Sequence, residues 1–181
     1  MIDYIIIGIL LQKPLTGYDI KKEIKLGIGN FYKASYGSLY PALKKLTDKG
    51  HLVLTEQTQA ARLKKYYKAT DLGRDVFMQW LASPVDINLG TAAMLARIYF
   101  FGELPKDIRN QRLQEYEAAM QKILTAHEQI EQQFAHTISN DRQYFELSTL
   151  FYGLQSVQGM IRWVRHIQAQ KEFPVKEDEN A

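Results

Sequence analysis

Between Ser35 and Gly50 the apolar residues Tyr36, Leu39, Leu43 and Leu46 recur at steps of three and four. That spacing lays side chains along one stripe of an α-helix facing a core. The opposite face carries Gly37, Ser38, Pro41, Lys44, Lys45 and Asp48, small and hydroxylated at its start and basic in its middle. Gly50 closes the helix. Inside a helix Pro41 removes a hydrogen bond at a cost of about 3 kcal/mol, so the helix is expected to start late or to bend there.

Upstream, residues 3–12 are apolar nearly all round, and periodicity alone leaves buried helix and buried strand open. The break at Lys13-Pro14-Leu15, followed by Thr16 and Asp19 in a capping-box-like pair, favours two short helices joined by a turn. In the second of these Tyr18, Ile20, Ile24 and Ile28 are expected inward, with Lys21, Lys22 and Lys25 outward. Together with the Ser35 helix they make a tri-helical helix-turn-helix unit whose third helix is the natural reader of DNA. Downstream, residues 51–56 and 62–69 read as two β-strands around the tip Gln57-Thr58-Gln59-Ala60-Ala61, a wing whose return strand offers Arg62, Lys64 and Lys65 to phosphates. The plainer reading of those cations is edge-strand charge that blocks aggregation. Thr70 then caps a helix with Leu72, Val76, Phe77, Trp80 and Leu81 inward.

Charge sharpens this picture. Residues 1–82 hold thirteen Lys/Arg against seven Asp/Glu, and residues 83–181 ten against thirteen, so the basic character belongs to the N-terminal part and a polyanion suits it as partner. The DNA-facing set is Lys21, Ser35, Tyr36, Gly37, Ser38, Tyr40, Lys44, Lys45, Arg62, Lys64 and Lys65, although Tyr36 also fits the core stripe.

Three motifs now stand in order: Leu15-Thr16-Gly17-Tyr18-Asp19-Ile20, Gly37-Ser38-Leu39-Tyr40-Pro41-Ala42-Leu43-Lys44-Lys45-Leu46, and Lys65-Tyr66-Tyr67 followed by Thr70-Asp71-Leu72-Gly73. In combination they resemble the PadR family of bacterial transcriptional regulators. The resemblance implies an N-terminal winged helix-turn-helix, a helical C-terminal part, and a homodimer that represses transcription and is released by a small aromatic or hydrophobic effector. The tip at residues 57–61 departs from the family in lacking glycine, proline or arginine.

In the second half, residues 90–101 read as a helix with Met94, Leu95, Ile98 and Phe101 inward. Leu113, Tyr116, Met120, Ile123, His127, Ile130 and Phe134 then alternate steps of three and four, a coiled-coil-like seam that wants a partner helix. The last helix, about 140–169, has one stripe of Leu150, Leu154, Val157, Ile161 and Val164 beside another of Tyr152, Met160, Trp163 and Ile167. A helix apolar on two faces is buried on both, and the second contact is expected to be another subunit. Ile5, Ile9, Leu150, Leu154, Val157, Ile161, Trp163 and Val164 are therefore assigned to dimerisation. An inverted-repeat operator with half-sites ~34 Å apart follows.

The expected fold is mostly α: a winged helix-turn-helix over 1–82 with a two-stranded β-wing, a linker at 83–89, a helical dimerisation and effector domain over 90–170, and a flexible acidic tail at 171–181. No run is long and apolar enough to cross a membrane, and the opening lacks the basic stretch of a secretory signal, so a cytoplasmic protein is expected. The chain has no cysteine, which removes thiolate metal sites and thiol nucleophiles. His51, His127, His136 and His166 form no ligand or triad pattern, and His127 in the seam reads as a hydrogen-bonded core residue. No phosphate loop or nucleophile elbow appears; neither enzyme activity nor a cofactor is expected. The competing reading is a winged-helix and coiled-coil adaptor that binds a protein instead of specific DNA.

Overall fold

A computed structural model of the chain describes residues 1–32, 36–59, 62–134 and 139–173. Ser35, Ala60, Ala61, His136 and the tail beyond residue 173, each named above, lie outside them. The element order is α1 (Ile2–Leu10), β1 (Leu15–Thr16), α2 (Gly17–Gly27), α3 (Tyr36–Asp48), β2 (Leu52–Gln59), β3 (Arg62–Ala69), α4 (Asp71–Ala82), α5 (Thr91–Ile98), α6 (Lys106–Phe134) and α7 (Asp141–Gln168). By compactness the chain divides into Met1–Arg109 and Asn110–Ala181.

In the first unit, α1 is the central element and packs against α2, α3, α4 and β3. Ile5, Ile6, Ile7 and Leu10 are enclosed, at 0 to 1% exposure. Tyr4 stacks on Trp80 of α4 with ring centres 4.6 Å apart, and Phe77 meets Phe100 edge-on at 5.3 Å. Of the two α1 residues assigned to dimerisation, Ile5 is enclosed within the protomer, whereas Ile9 keeps part of its surface exposed.

The wing is larger than the sequence pattern suggests. β1 joins the sheet beside β3, giving a three-stranded antiparallel order β1-β3-β2 with Leu15 opposite Tyr67 and Thr16 opposite Tyr66. Thr16 is thus a sheet residue and the N-cap of α2, whose hydroxyl accepts from the Asp19 amide at 3.2 Å and donates to the Asp19 carboxylate at 2.6 Å. A strand of two residues has no alternation to detect. On α2, Gly17, Ile20 and Ile24 take the buried stripe. Tyr18 stands two residues, or about 200°, from Ile20 and is 66% exposed, not inward; Leu72 at the start of α4 is likewise 52% exposed.

Helix α3 buries Leu39, Ala42, Leu43 and Leu46 and runs through Pro41 instead of starting after it. The missing proline amide leaves the Gly37 carbonyl without its usual partner within the helix. At the far end Gly50 has φ +71°; its amide donates to Thr47 and that of His51 to Leu46, both at 2.9 Å, the paired bonds of a left-handed helix stop. The Thr70-Asp71-Leu72-Gly73 motif is the next junction. The Thr70 hydroxyl accepts from the Gly73 amide at 3.0 Å and donates to the Gly50 carbonyl at 2.7 Å. A Cβ on Gly73 would lie 2.2 Å from the His51 carbonyl oxygen, so the α4 start and the α3 stop meet backbone to backbone.

Arg97 of α5, 6% exposed, points its guanidinium at the C-terminal end of α4. It donates to the Leu81 carbonyl at 3.2 and 2.9 Å, to Pro84 at 3.0 Å and to Ser83. A cation here satisfies carbonyls that the helix end leaves open and opposes the helix dipole. It holds α5 in the first unit.

In the second unit, Met120 and Leu124 of α6 pack with Leu154, Val157 and Ile161 of α7. Leu154, Val157, Ile161 and Val164, assigned to dimerisation from the sequence, are 0 to 5% exposed within the protomer. The α6 seam gains Leu124 and loses its distal end, since Ile130 is 42% and Phe134 48% exposed. Leu150 and Trp163 keep part of their surface. Tyr144, Phe145, Phe151 and Tyr152 stand out at 59, 67, 59 and 75%. His127 lies against Gly153, where a Cβ would sit 3.5 Å from its ring. Contrary to the hydrogen-bonded expectation, its Nδ1 is buried with no partner among the described residues.

Two substitutions test these junctions by chemical denaturation. Gly73→Ala should destabilise by about 1–3 kcal/mol through overpacking against the His51 carbonyl. Arg97→Met keeps the bulk but strands the α4 carbonyls, and should cost on the order of 2–3 kcal/mol.

Candidate nucleic-acid interface

The outward face of α3 exposes Gly37, Ser38, Tyr40, Pro41, Lys44 and Lys45, because the stripe at 39, 42, 43 and 46 turns the complementary positions away from the core. Tyr40, 48% exposed, leans back over the start of α2. With Thr16 to Asp19 of that start and Lys64, Lys65 and Tyr67 of β3 it lines a groove of about 560 Å³. Three elements distant in sequence thus bring two lysines, three tyrosines and the N-terminus of α2 to one surface. A helix start presents backbone N–H groups and a partial positive charge, and lysine heads add point charges. The combination can hold phosphates while the α3 face meets base edges.

The wing register sorts its cations. Lys64 stands opposite Gln57 and Lys65 opposite Glu56; both border the groove, while alternation along the strand starts their side chains from opposite sides of the ribbon. Lys65 pairs with Glu56 at 3.6 Å. Lys68 shares the alternation of Lys64 and Tyr66 and is exposed; its two-residue spacing from Tyr66 is the sequence signal for that placement. Arg62 stands opposite Gln59 where the return strand begins. Lys21 is half-buried on α2, Tyr36 opens α3, and Ser35 is outside the described residues.

Lys45 differs from its neighbour Lys44. Its ammonium reaches the Asp3 carboxylate of α1 at 2.6 Å. That hydrogen bond, and then the carboxylate's charge, raise its pKa above the ordinary lysine value. Its contribution to stability is therefore complete below the unfolded lysine pKa and is lost only as pH rises through the raised one, so neutral pH leaves the pair intact. Lys45 thus fastens α3 to α1 as well as adding positive potential. Tyr32, just before the α3 approach, is also raised, by burial and then by Asp3.

A second concavity of about 350 Å³ lies among α1, α2 and the segment after α5, lined by Ile9, Leu15, Tyr99, Phe100 and the polar Gln12, Lys13, Glu23 and Glu103. Gln12 donates to Glu103 at 3.0 Å, and Lys13 pairs with Glu23 at 3.6 Å. Among the described residues no group of three or more His, Asp or Glu could hold a metal ion, and no helix is long and apolar enough to cross a membrane.

Comparison with known proteins agrees with the order of the sequence motifs. Residues 6–79 match the transcriptional regulator PadR-like family, and residues 92–171 match a family described as virulence activator alpha C-term. The negative transcriptional regulator PadR of Bacillus subtilis (strain 168) is 27% identical over 176 residues, 93% of this chain and 96% of its own length. Among solved structures, B. subtilis PadR in complex with operator DNA is 26% identical, covers 93% of this chain and 98% of its own, and has a TM-score of 0.45. The same regulator in complex with p-coumaric acid is 25% identical, with 93% and 97% covered and a TM-score of 0.42. Residues 6–79 of the chain belong to the transcriptional regulator PadR-like family.

Proposed function

We propose that this protein is a sequence-specific DNA-binding repressor that works as a homodimer, in the cytoplasm where its DNA lies, by binding and without catalysis or cofactor. The observation that carries this is the groove joining Tyr40, the α2 start, Lys64 and Lys65 beside the exposed face of α3. Ser35, Tyr36, Gly37, Ser38 and Tyr40 enter the major groove; Lys44 and Lys45 flank it; Lys21, Arg62, Lys64 and Lys65, now with Lys68, hold the backbone. Residues 1–82 are the reader, 83–89 its link to a pairing and effector region at 90–170, and 171–181 a tail. Repression follows the B. subtilis relative, a negative regulator.

The pairing surface takes in the exposed Phe145 and Tyr152 of α7 together with Ile130 and Phe134 of α6, large apolar side chains left in solvent by one protomer. Leu150 and Trp163 extend it on the second unit, and Ile9 is a separate half-buried candidate contact on the first. The 350 Å³ concavity, mixed apolar and polar, is of a size for a one-ring aromatic effector. Such a ligand releases the operator only by binding more tightly to a head spacing that does not fit it.

Selection from a random DNA pool should return an inverted repeat with half-sites ~34 Å apart. Lys64→Ala should weaken selected and scrambled duplexes alike and reduce the salt slope of binding by about 1, while Ser38→Ala acts mainly on the selected site. Failure to recover any consensus, with binding insensitive to DNA competitor, would point to the adaptor reading. In sedimentation, Phe145→Asp should shift the protein toward monomer with little change in the thermal midpoint of the protomer; a dimer as tight as the wild type would place the pairing surface elsewhere.

A further inference from the structure

Gly17 is buried in the first turn of α2, and its backbone gives no reason for a glycine, since the positive-φ glycines of the described chain are Gly50 and Gly90. In ordinary helical geometry alanine is the better residue. The reason for glycine lies across the groove. A Cβ at position 17 would come within 3.0 Å of Cε1, 3.1 Å of Oη and 3.2 Å of Cζ of Tyr40. All three atoms belong to the far end of that ring. Any side chain at 17 would displace the ring and hydroxyl by a few tenths of an ångström, and the ring has room to yield because it is 48% exposed.

From this contact we infer that Gly17 is a positioning residue for DNA reading: by its missing side chain it sets where the Tyr40 hydroxyl stands between α3 and the wing lysines. The inference rests on the DNA-binding reading above. The chain thereby couples the Thr16-Gly17-Tyr18-Asp19 turn to the reader helix through a van der Waals contact. Thr16 is pinned by β1 pairing and by the Asp19 cap, so the α2 start is a fixed floor. The Tyr40 ring rests on that floor, and Lys64, Lys65 and Tyr67 form the facing wall of the groove. A hydroxyl that moves by a few tenths of an ångström leaves the narrow distance range in which a hydrogen bond is strong. Lysine contacts made through long flexible stems tolerate the same movement.

This separates positioning from stability. Gly17→Ala should leave the thermal midpoint unchanged or raise it, because alanine suits the helix and the yielding group is an exposed ring. It should weaken binding to the selected inverted repeat on the order of tenfold, measured by fluorescence anisotropy, and leave a scrambled duplex of equal length unaffected. In a Tyr40→Ala background, Gly17→Ala should cause no further loss, since the ring it displaces is gone. Without DNA, the Tyr40 ring resonances in tyrosine-labelled protein should shift in Gly17→Ala.

Wild-type affinity of Gly17→Ala for the repeat, or a loss that persists undiminished in the Tyr40→Ala background, would overturn the inference. Parallel loss of specific and scrambled binding with a fallen midpoint would instead make Gly17 a plain packing residue. Should the wild type fail to prefer any duplex, the DNA-binding reading fails on its own account. Unchanged Tyr40 resonances would then independently refute the positioning claim.

Discussion

The first unit depends on the burial of α1. Ile5, Ile6, Ile7 and Leu10 are withdrawn from water on every side of a nine-residue helix. Each such side chain is worth roughly 1.5–3 kcal/mol on burial. No isolated helix that short is stable in water, so α1 exists only because α2, α3, α4 and β3 close around it, and they are held in mutual register because they share it. The Lys45 to Asp3 ion pair and the Tyr4 to Trp80 stack fix the direction of α1 within that enclosure. The outward face of α3 is thereby presented by a scaffold whose centre has little freedom to shift.

Around that centre the reader is built from junctions in which one residue serves two elements. Thr16 ends a strand and caps a helix. Gly50 stops α3 while its carbonyl receives the Thr70 hydroxyl that also caps α4. Arg97 carries α5 onto the carbonyls ending α4. These backbone-directed bonds leave few ways to move one element without its neighbour, because an unsatisfied buried polar group costs more than the bond itself returns. The family motifs are therefore largely architectural. The Thr70 hydroxyl and the bare Cα of Gly73 both serve backbone groups; they let two helix ends and a strand meet.

The second unit follows a different economy. Its α6 and α7 close one apolar seam between them and leave large aromatic side chains in solvent at Tyr144, Phe145, Phe151 and Tyr152. Two amphipathic helices can bury only the stripes that face each other. With the Leu154, Val157, Ile161 stripe spent inside the protomer, the residual apolar surface falls at residues whose spacing resembles that of the seam but whose azimuth differs. Exposure, not periodicity, distinguishes the two.

The sequence by itself determined the three-helix order, the α3 stripe of Leu39, Leu43 and Leu46, the hairpin, the caps at Thr16 and Thr70, the glycine stop at 50 and the basic bias of the first half. Each of these depends on neighbours within one or two turns, where spacing and local hydrogen bonding leave few alternatives. Tertiary structure alone decided which of two stripes on α7 faces inward, that Ile5 is spent inside the protomer, and that Lys45 fastens α3 to α1. It also decided that a two-residue strand completes the sheet, that Arg97 is buried on α4, and that Tyr40 lies on Gly17. All of these are meetings between segments tens of residues apart, and one-dimensional periodicity carries no information about azimuth between elements. That is set by which surfaces exclude water together once the chain has closed on itself.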